Sequence, residues 1–181
     1  MTVPAHNNIR RERFRAERGT ALVELALVMP LLLVLLLGMI DFGKAFNEWI
    51  DETHLANVGA RLASVGYPVA GCTNANPNVC LAQYVQEGAD LAELKSGRAG
   101  NSYAPAQDAA QVCVSYPVNP ATNTSGKVGD PVQVTVQSTF RWLDYLTNRL
   151  DLNAAGTDME GKATMRLERL ISNTTTGCYP T

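Results

Sequence analysis

The side chains that could do chemistry in this chain are few and scattered. Its two histidines are His6, in the polar N-terminal stretch, and His54, set among acidic residues. A serine or cysteine nucleophile needs a positioned base, and neither imidazole supplies one. Asp41, Asp51, Glu52, Asp90, Glu93, Asp144 and Asp158 share no catalytic spacing and read mostly as solvated surface. Glycine-rich phosphate loops are absent. The cysteines, Cys72, Cys80, Cys113 and Cys178, form no Cys-x-x-Cys and have no neighbouring histidine, which argues against zinc. No catalytic residue, cofactor or metal is expected, and the chain does not read as an enzyme. One acid stands apart. Glu24 is the only charge in the 21 residues from Thr20 to Ile40.

As a helix that run is about 31 Å long, enough to cross the hydrocarbon core of a bilayer. A buried core helix is rarely apolar on every face for so long. A carboxylate one turn inside a lipid-facing helix costs about 2.5–3.5 kcal/mol on insertion scales. Glu24 either lies shallow, reaches the headgroups or is protonated, or else it has a partner in the membrane.

The charges flanking the run set its direction. Arg10, Arg11, Arg13, Arg15 and Arg18 precede it, giving residues 1–18 a net +3 against −2 for the whole chain. The basic side stays in the cytoplasm, which puts the C-terminal portion across the membrane. Beside a membrane span this explains the arginines better than nucleic-acid binding does. A secretory signal peptide is the closer competitor, but its apolar region is usually shorter and is followed by a small-x-small cleavage site. Gly38-Met39-Ile40-Asp41-Phe42 offers none.

Gly19 and Glu24 with four residues between them, arginines before and an apolar run after, resemble the processing site of type IV prepilins. The resemblance implies a cut by a membrane peptidase between Gly19 and Thr20. The new amine on Thr20 would then be a cation in lipid, with Glu24 of a neighbouring subunit as its counter-ion. Pairing would relieve the desolvation penalty of both groups.

The chain's elements follow from these assignments. Residues 1–8 read as disordered, and residues 1–19 as a basic leader that processing removes. Pro30 lies inside the span and removes the bond to the carbonyl of Ala26, so a kink or local unwinding is expected there. After Ile40 the helix continues to residue 66. Phe42, Phe46, Trp49, Thr53, Ala56, Ala60 and Ala63 form one stripe, and Leu55, Val58, Leu62 and Val65 a second. Lys44, Glu48, Asp51, Glu52 and Arg61 fall outside both. The Leu55–Val65 half is expected to pack on the chain's own domain. The Phe42–Trp49 end suits a contact between subunits, and Trp49 suits an interfacial anchor equally well. Gly66-Tyr67-Pro68 ends the helix.

Arg18 to Leu27, then Pro30, a leucine-rich run and Gly38-Met39-Ile40-Asp41-Phe42-Gly43 together resemble the N-terminal signature of the TadE-like pseudopilins. These are minor-pilin-like components of tight-adherence (Tad) pilus systems in bacteria. The resemblance covers residues 18 to about 66. It implies a role in assembly, initiation or the tip of a Tad pilus used for surface adhesion. The implied partners are other pilin-like subunits, the assembly platform, a prepilin peptidase and the membrane, with no nucleic acid. The implied location is the bacterial inner membrane, single-pass with a cytoplasmic N-terminus, or a surface pilus. The alternative is a permanently anchored binding or sensory domain that never enters a filament.

Residues 67–181 read as an extracytoplasmic α+β domain. The stretch 67–81 is a loop rich in Gly, Pro and Asn, and Leu81–Lys95 is a helix weakened by Gly88. Ser96 to Pro105 returns to loop. Gln111–Tyr116 and Val132–Phe140 alternate as strands, with Val132, Val134 and Val136 on one side. Trp142–Leu150 is a short helix or ordered loop, and 160–170 a third strand with Ala163, Met165 and Leu167 on one side. About three antiparallel strands with one apolar face need a covering helix, and the Leu55–Val65 stripe provides it. Beyond the span the four cysteines meet an oxidising compartment, and three pairings are open. The expected one closes the short Cys72–Cys80 loop and ties the tail to the sheet through Cys113–Cys178.

Overall fold

The computed structural model describes residues 8–66, 72–97, 109–143, 156–171 and 175–179, with backbone alone for 8–18. The readings made for 1–7, 67–71, 98–105 and 144–150 lie outside the described residues. The chain divides into two units, Met1–Phe42 and Gly43–Thr181.

Helix α1 runs Asn8–Val65, 58 residues, and continues through Pro30. In the first unit it is exposed on all sides from Gly19 to Ile40, with Leu37 alone partly shielded. Its most apolar 18-residue window has no buried residue. The core helix of a soluble protein would bury most of such a stretch. Length, composition and exposure therefore fit a single-pass membrane anchor.

The second unit is α+β. The end of α1 (from Gly43) is followed by α2 (Pro77–Glu87), α3 (Ala92–Ser96), β1 (Gln111–Ser115), β2 (Pro131–Arg141), β3 (Gly156–Arg166) and β4 (Gly177–Tyr179). The strands form one antiparallel sheet in the order β3-β2-β1-β4. Alternation explains its two faces. Val112, Val114, Val132, Val134 and Val136 are completely buried on one face, joined by Ala163 and Leu167. Fully burying each of these valines is worth about 1.5–3 kcal/mol. The other face carries Gln133, Thr135, Gln137, Thr139, Asp158, Glu160, Lys162 and Thr164. Its residues bond across strands, Gln133 Nε2 to Thr164 Oγ1 at 3.1 Å and Thr139 Oγ1 to Asp158 Oδ1 at 2.9 Å.

Leu55, Ala56, Ala60 and Ala63 of α1 and Leu81, Ala82 and Val85 of α2 close the core over the apolar face. Small residues let α1 approach closely. A Cβ at Gly59 would sit 3.0 Å from both Val134 and Val85, and a Cβ at Gly161 of β3 would collide with the backbone of Glu52 and Thr53. Gly66 ends α1 with φ +58°, a left-handed value glycine adopts without strain.

Three expectations change. The sheet has four strands rather than about three: Gly177–Tyr179 is too short and polar to register as a strand, and it is held by Cys178. The third strand begins at Gly156, because its polar first half pairs with β2 residue for residue from Arg141 downward. The expected helix 81–95 is two helices. Gly88 caps α2, its N–H reaching the carbonyls of Tyr84 and Val85, and Asp51 Oδ2 then accepts the N–H groups of Asp90 and Leu91, both at 3.1 Å. A side chain from α1 thus takes two amide protons that a continuous helix would have used.

Asp130 organises the β1–β2 connection. Its carboxylate accepts from Asn119 Nδ2, Thr122 Oγ1, Thr124 Oγ1 and the Lys127 N–H. Burial pushes its pKa up, but these donors outweigh burial and hold it below the usual carboxylate value.

Candidate functional site

Gly19, Thr20 and Glu24 lie on α1 in the first unit and are exposed. A side chain at Gly19 would meet nothing within 4 Å. Glycine inside a helix costs roughly 1 kcal/mol relative to alanine, and here no contact among the described residues requires it. Pro30 sits on the same exposed stretch.

In the second unit the exposed side of α1 is aromatic. Phe46, Trp49 and Ile50 are 53%, 47% and 56% exposed, and Phe46 and Trp49 stack edge to face with centroids 5.8 Å apart. The neighbouring face is the buried one; it takes in Ala56, Ala60 and Ala63 of the first expected stripe and Leu55 of the second, so this half of α1 packs on the chain's own domain as expected. Asp51 and Glu52, read as solvated surface, are 7% and 0% exposed, and Glu48, which falls outside both stripes, is 5% exposed. They lie in one stripe with Ala45, Leu55, Ala56, Gly59, Ala60 and Ala63. That run of small residues is the signal that marks a close-packed helix face. The large aromatics Phe46 and Trp49 lie beside it and are exposed.

The three acids are held differently. Asp51 captures the α2–α3 turn. Ser138 Oγ of β2 donates to Glu48 Oε1 at 2.6 Å. Neither Glu52 carboxylate oxygen has a hydrogen-bond partner among the described residues. Burial pushes the pKa of Glu52 up to about 7; the adjacent Ser138 partly opposes this, and Glu48 and Asp51 reinforce it. Glu48 is raised too, chiefly by burial, with Ser138 opposing and Glu93 adding to it. These carboxyls belong to the interior. Among the described residues no group of three or more His, Cys, Asp or Glu is arranged to hold a metal.

The cysteines are joined as Cys72–Cys80 and Cys113–Cys178, separated by 8 and 65 residues. Cys113 and Cys178 face each other across β1 and β4. A cleft of about 610 Å³ lies between the end of α1, the Cys72–Cys80 loop and Arg169–Ile171. Its interior polar groups are already engaged: Tyr116 Oη donates to Asn78 Oδ1 at 3.1 Å, and Asn78 Nδ2 to the Thr175 carbonyl at 2.8 Å. Burial raises the Tyr116 pKa despite that bond, leaving it a neutral donor.

No curated protein and no solved structure matches the chain. A family model does match, that of TadE-like protein, over residues 19–61. The matched segment begins at Gly19, includes Glu24 and Pro30, and extends past the buried acids. The match covers under half of the chain and lies wholly on α1. From Gly19 to Arg61, then, the helix of this chain is TadE-like.

Proposed function

We propose that this chain is a TadE-like minor pilin or pseudopilin that acts in the assembly, initiation or tip of a Tad pilus serving surface adhesion. It inserts with its basic N-terminus in the cytoplasm and its disulfide-bonded domain outside. A prepilin peptidase cuts between Gly19 and Thr20. Glu24 then serves as counter-ion to the Thr20 amine of an adjoining pilin-like subunit, and the Phe46–Trp49 face packs against such subunits. The assembly platform is the remaining partner.

The observation that carries this reading is an unburied apolar helix whose TadE-like match opens on a glycine that no packing among the described residues needs. The five arginines before it support the orientation. N-terminal sequencing of the mature protein, from cells with and without prepilin peptidase, is the test. Thr20 at the N-terminus only when the peptidase is present is the expected result. An intact leader in both would mark a permanently anchored domain and overturn the proposal. Glu24→Gln tests the counter-ion separately: a chain that inserts and is cleaved but no longer supports pilus assembly is expected. Normal assembly would remove Glu24 from that role.

A further inference from the structure

Strand β2 leads back along α1 toward the point where the helix enters the domain. Three contacts fix its direction. Gly59 of α1 lies against Val134, the Glu52–Thr53 backbone against Gly161, which pairs with Val136, and Glu48 accepts from Ser138. Going back along α1 from Gly59 to Glu48 therefore means going forward along β2 from Val134 to Ser138. Arg141 lies about 10 Å beyond Ser138, and Gly43 lies about 7.5 Å before Glu48. The strand thus ends level with the start of the domain.

What the fold leaves at this end is apolar and cationic. Arg141 is followed by Trp142, whose ring meets Phe140 edge to face with centroids 5.1 Å apart and whose Nε1 donates to Thr157 Oγ1 at 2.7 Å. Leu143 then takes φ +51°, a left-handed value that side chains rarely adopt, and is 37% exposed. On α1 the acids of this end, Glu48, Asp51 and Glu52, are all buried. The exposed residues from Gly43 to Ile50 carry a single charge, that of Lys44. Among the described residues at this end of the sheet the exposed acid is Asp158, and it accepts the Thr139 hydroxyl. A tryptophan, an outward leucine and two long cationic side chains suit a surface at lipid headgroups. There an indole sits between hydrocarbon and water, and the cations extend to the phosphates.

We propose that this end of the domain, Lys44 with Arg141, Trp142 and Leu143, rests on the headgroups of the bilayer that α1 enters. The proposal rests on the membrane anchor of the preceding reading and adds a second, peripheral contact to it. Chain continuity names the partner. The apolar run ends at Ile40, three residues before Gly43, so Gly43 stays within about 10 Å of the end of the run. Trp49 lies about 9 Å further along α1 than Gly43. It stays above the headgroups, available to the subunit contact, and Trp142 is the interfacial anchor. Before assembly the domain is held against the membrane, and entry into a filament must lift Trp142 and Leu143 off the lipid.

The test reconstitutes the full-length chain in vesicles of phosphatidylcholine and phosphatidylglycerol and reads tryptophan emission with acyl chains brominated near the glycerol. The chain has two tryptophans, so W49F leaves Trp142 as the reporter and W142F leaves Trp49. Trp142 should lose roughly half its emission, because an interfacial indole touches the upper acyl carbons, and Trp49 should lose much less. Near-UV circular dichroism checks folding. The difference between the native chain and W142F gives the Trp142 signal a second way, so the result does not depend on W49F alone. An alkaline wash of the vesicles separates the two readings. A chain that resists the wash but whose Trp142 is unquenched, or quenched no more than Trp49, overturns this proposal and leaves the anchor standing. A chain that is washed off overturns the anchor and this proposal with it.

Discussion

Replacing Glu52 with glutamine should make the protein more stable at neutral pH and remove most of a pH dependence that the native chain carries. Glu52 is fully buried, lacks a hydrogen-bond partner among the described residues, and holds its proton up to a pKa of about 7 against an ordinary 4.5. Below 4.5 the carboxyl is protonated in both folded and unfolded chains, and its contribution is fully present. Between 4.5 and 7 the unfolded chain has released the proton while the folded chain keeps it, so stability falls as pH rises. Above 7 the loss is complete. A shift of this size corresponds to about 3 kcal/mol, or roughly 6–12 °C in Tm for a domain in this size range. Glu48, raised for the same reason, adds a loss of the same sign. Glu52→Gln carries no ionisable proton and can direct its amide to Glu48 or Ser138. Thermal unfolding of the full-length chain in detergent, followed by near-UV circular dichroism from pH 4.5 to 8, reads the effect. The native Tm should fall across that range and the variant's should fall much less, leaving the variant more stable at pH 8. A native Tm that is flat or rises, or a variant less stable at pH 8, would refute the reasoning.

Other positions make sharper demands. Gly161→Ala should destabilise by at least the ~1–3 kcal/mol typical of overpacking, because the added methyl meets helix backbone rather than a movable side-chain end; denaturant unfolding measures it. Gly19→Ala, by contrast, should leave stability unchanged within about 1 kcal/mol and change only processing by the peptidase. Breaking Cys113–Cys178 by a double serine substitution should cost about 4 kcal/mol on the loop-entropy estimate for its 65-residue separation, against about 2.5 for Cys72–Cys80; the unfolding midpoints of the two variants give the comparison. Asp130→Asn should flatten the acid limb. The native carboxylate has a lowered pKa, so its stabilisation is present above the ordinary value of 3.8 and is lost as pH falls through the folded value. Hydrogen exchange at Lys127 across pH 2–5 reports it.

The membrane-length helix, the alternating β2 strand and the α+β class were legible because each rests on a local hydrophobic period. Val132, Val134 and Val136 announce their face without reference to anything else. The buried side of α1 was legible in its Leu55–Val65 half but not at its acids. Its apolar area comes partly from Ala56, Ala60 and Ala63, and the stripe contains Glu48 and Glu52, whose burial depends on the distant Ser138 and Gly161. Periodicity scores Phe46 and Trp49 above them, although these aromatics stay exposed in the isolated chain. The start of β3 is likewise set by pairing with Thr139 and Phe140, not by its own Gly156, Thr157 and Asp158. The break between α2 and α3 depends on Asp51, almost forty residues upstream.

The placing of the cysteines along the chain bears on how the right bridges arise. Ribosomal synthesis delivers Cys72 and Cys80 first, eight residues apart, when no other thiol has yet emerged to compete. Cys113 follows after that bridge can close. It must then wait for Cys178, 65 residues further on. With the domain outside the cytoplasm, as proposed, emergence in that order would let each bond form with a single available choice, so an otherwise ambiguous set of four would need no later reshuffling.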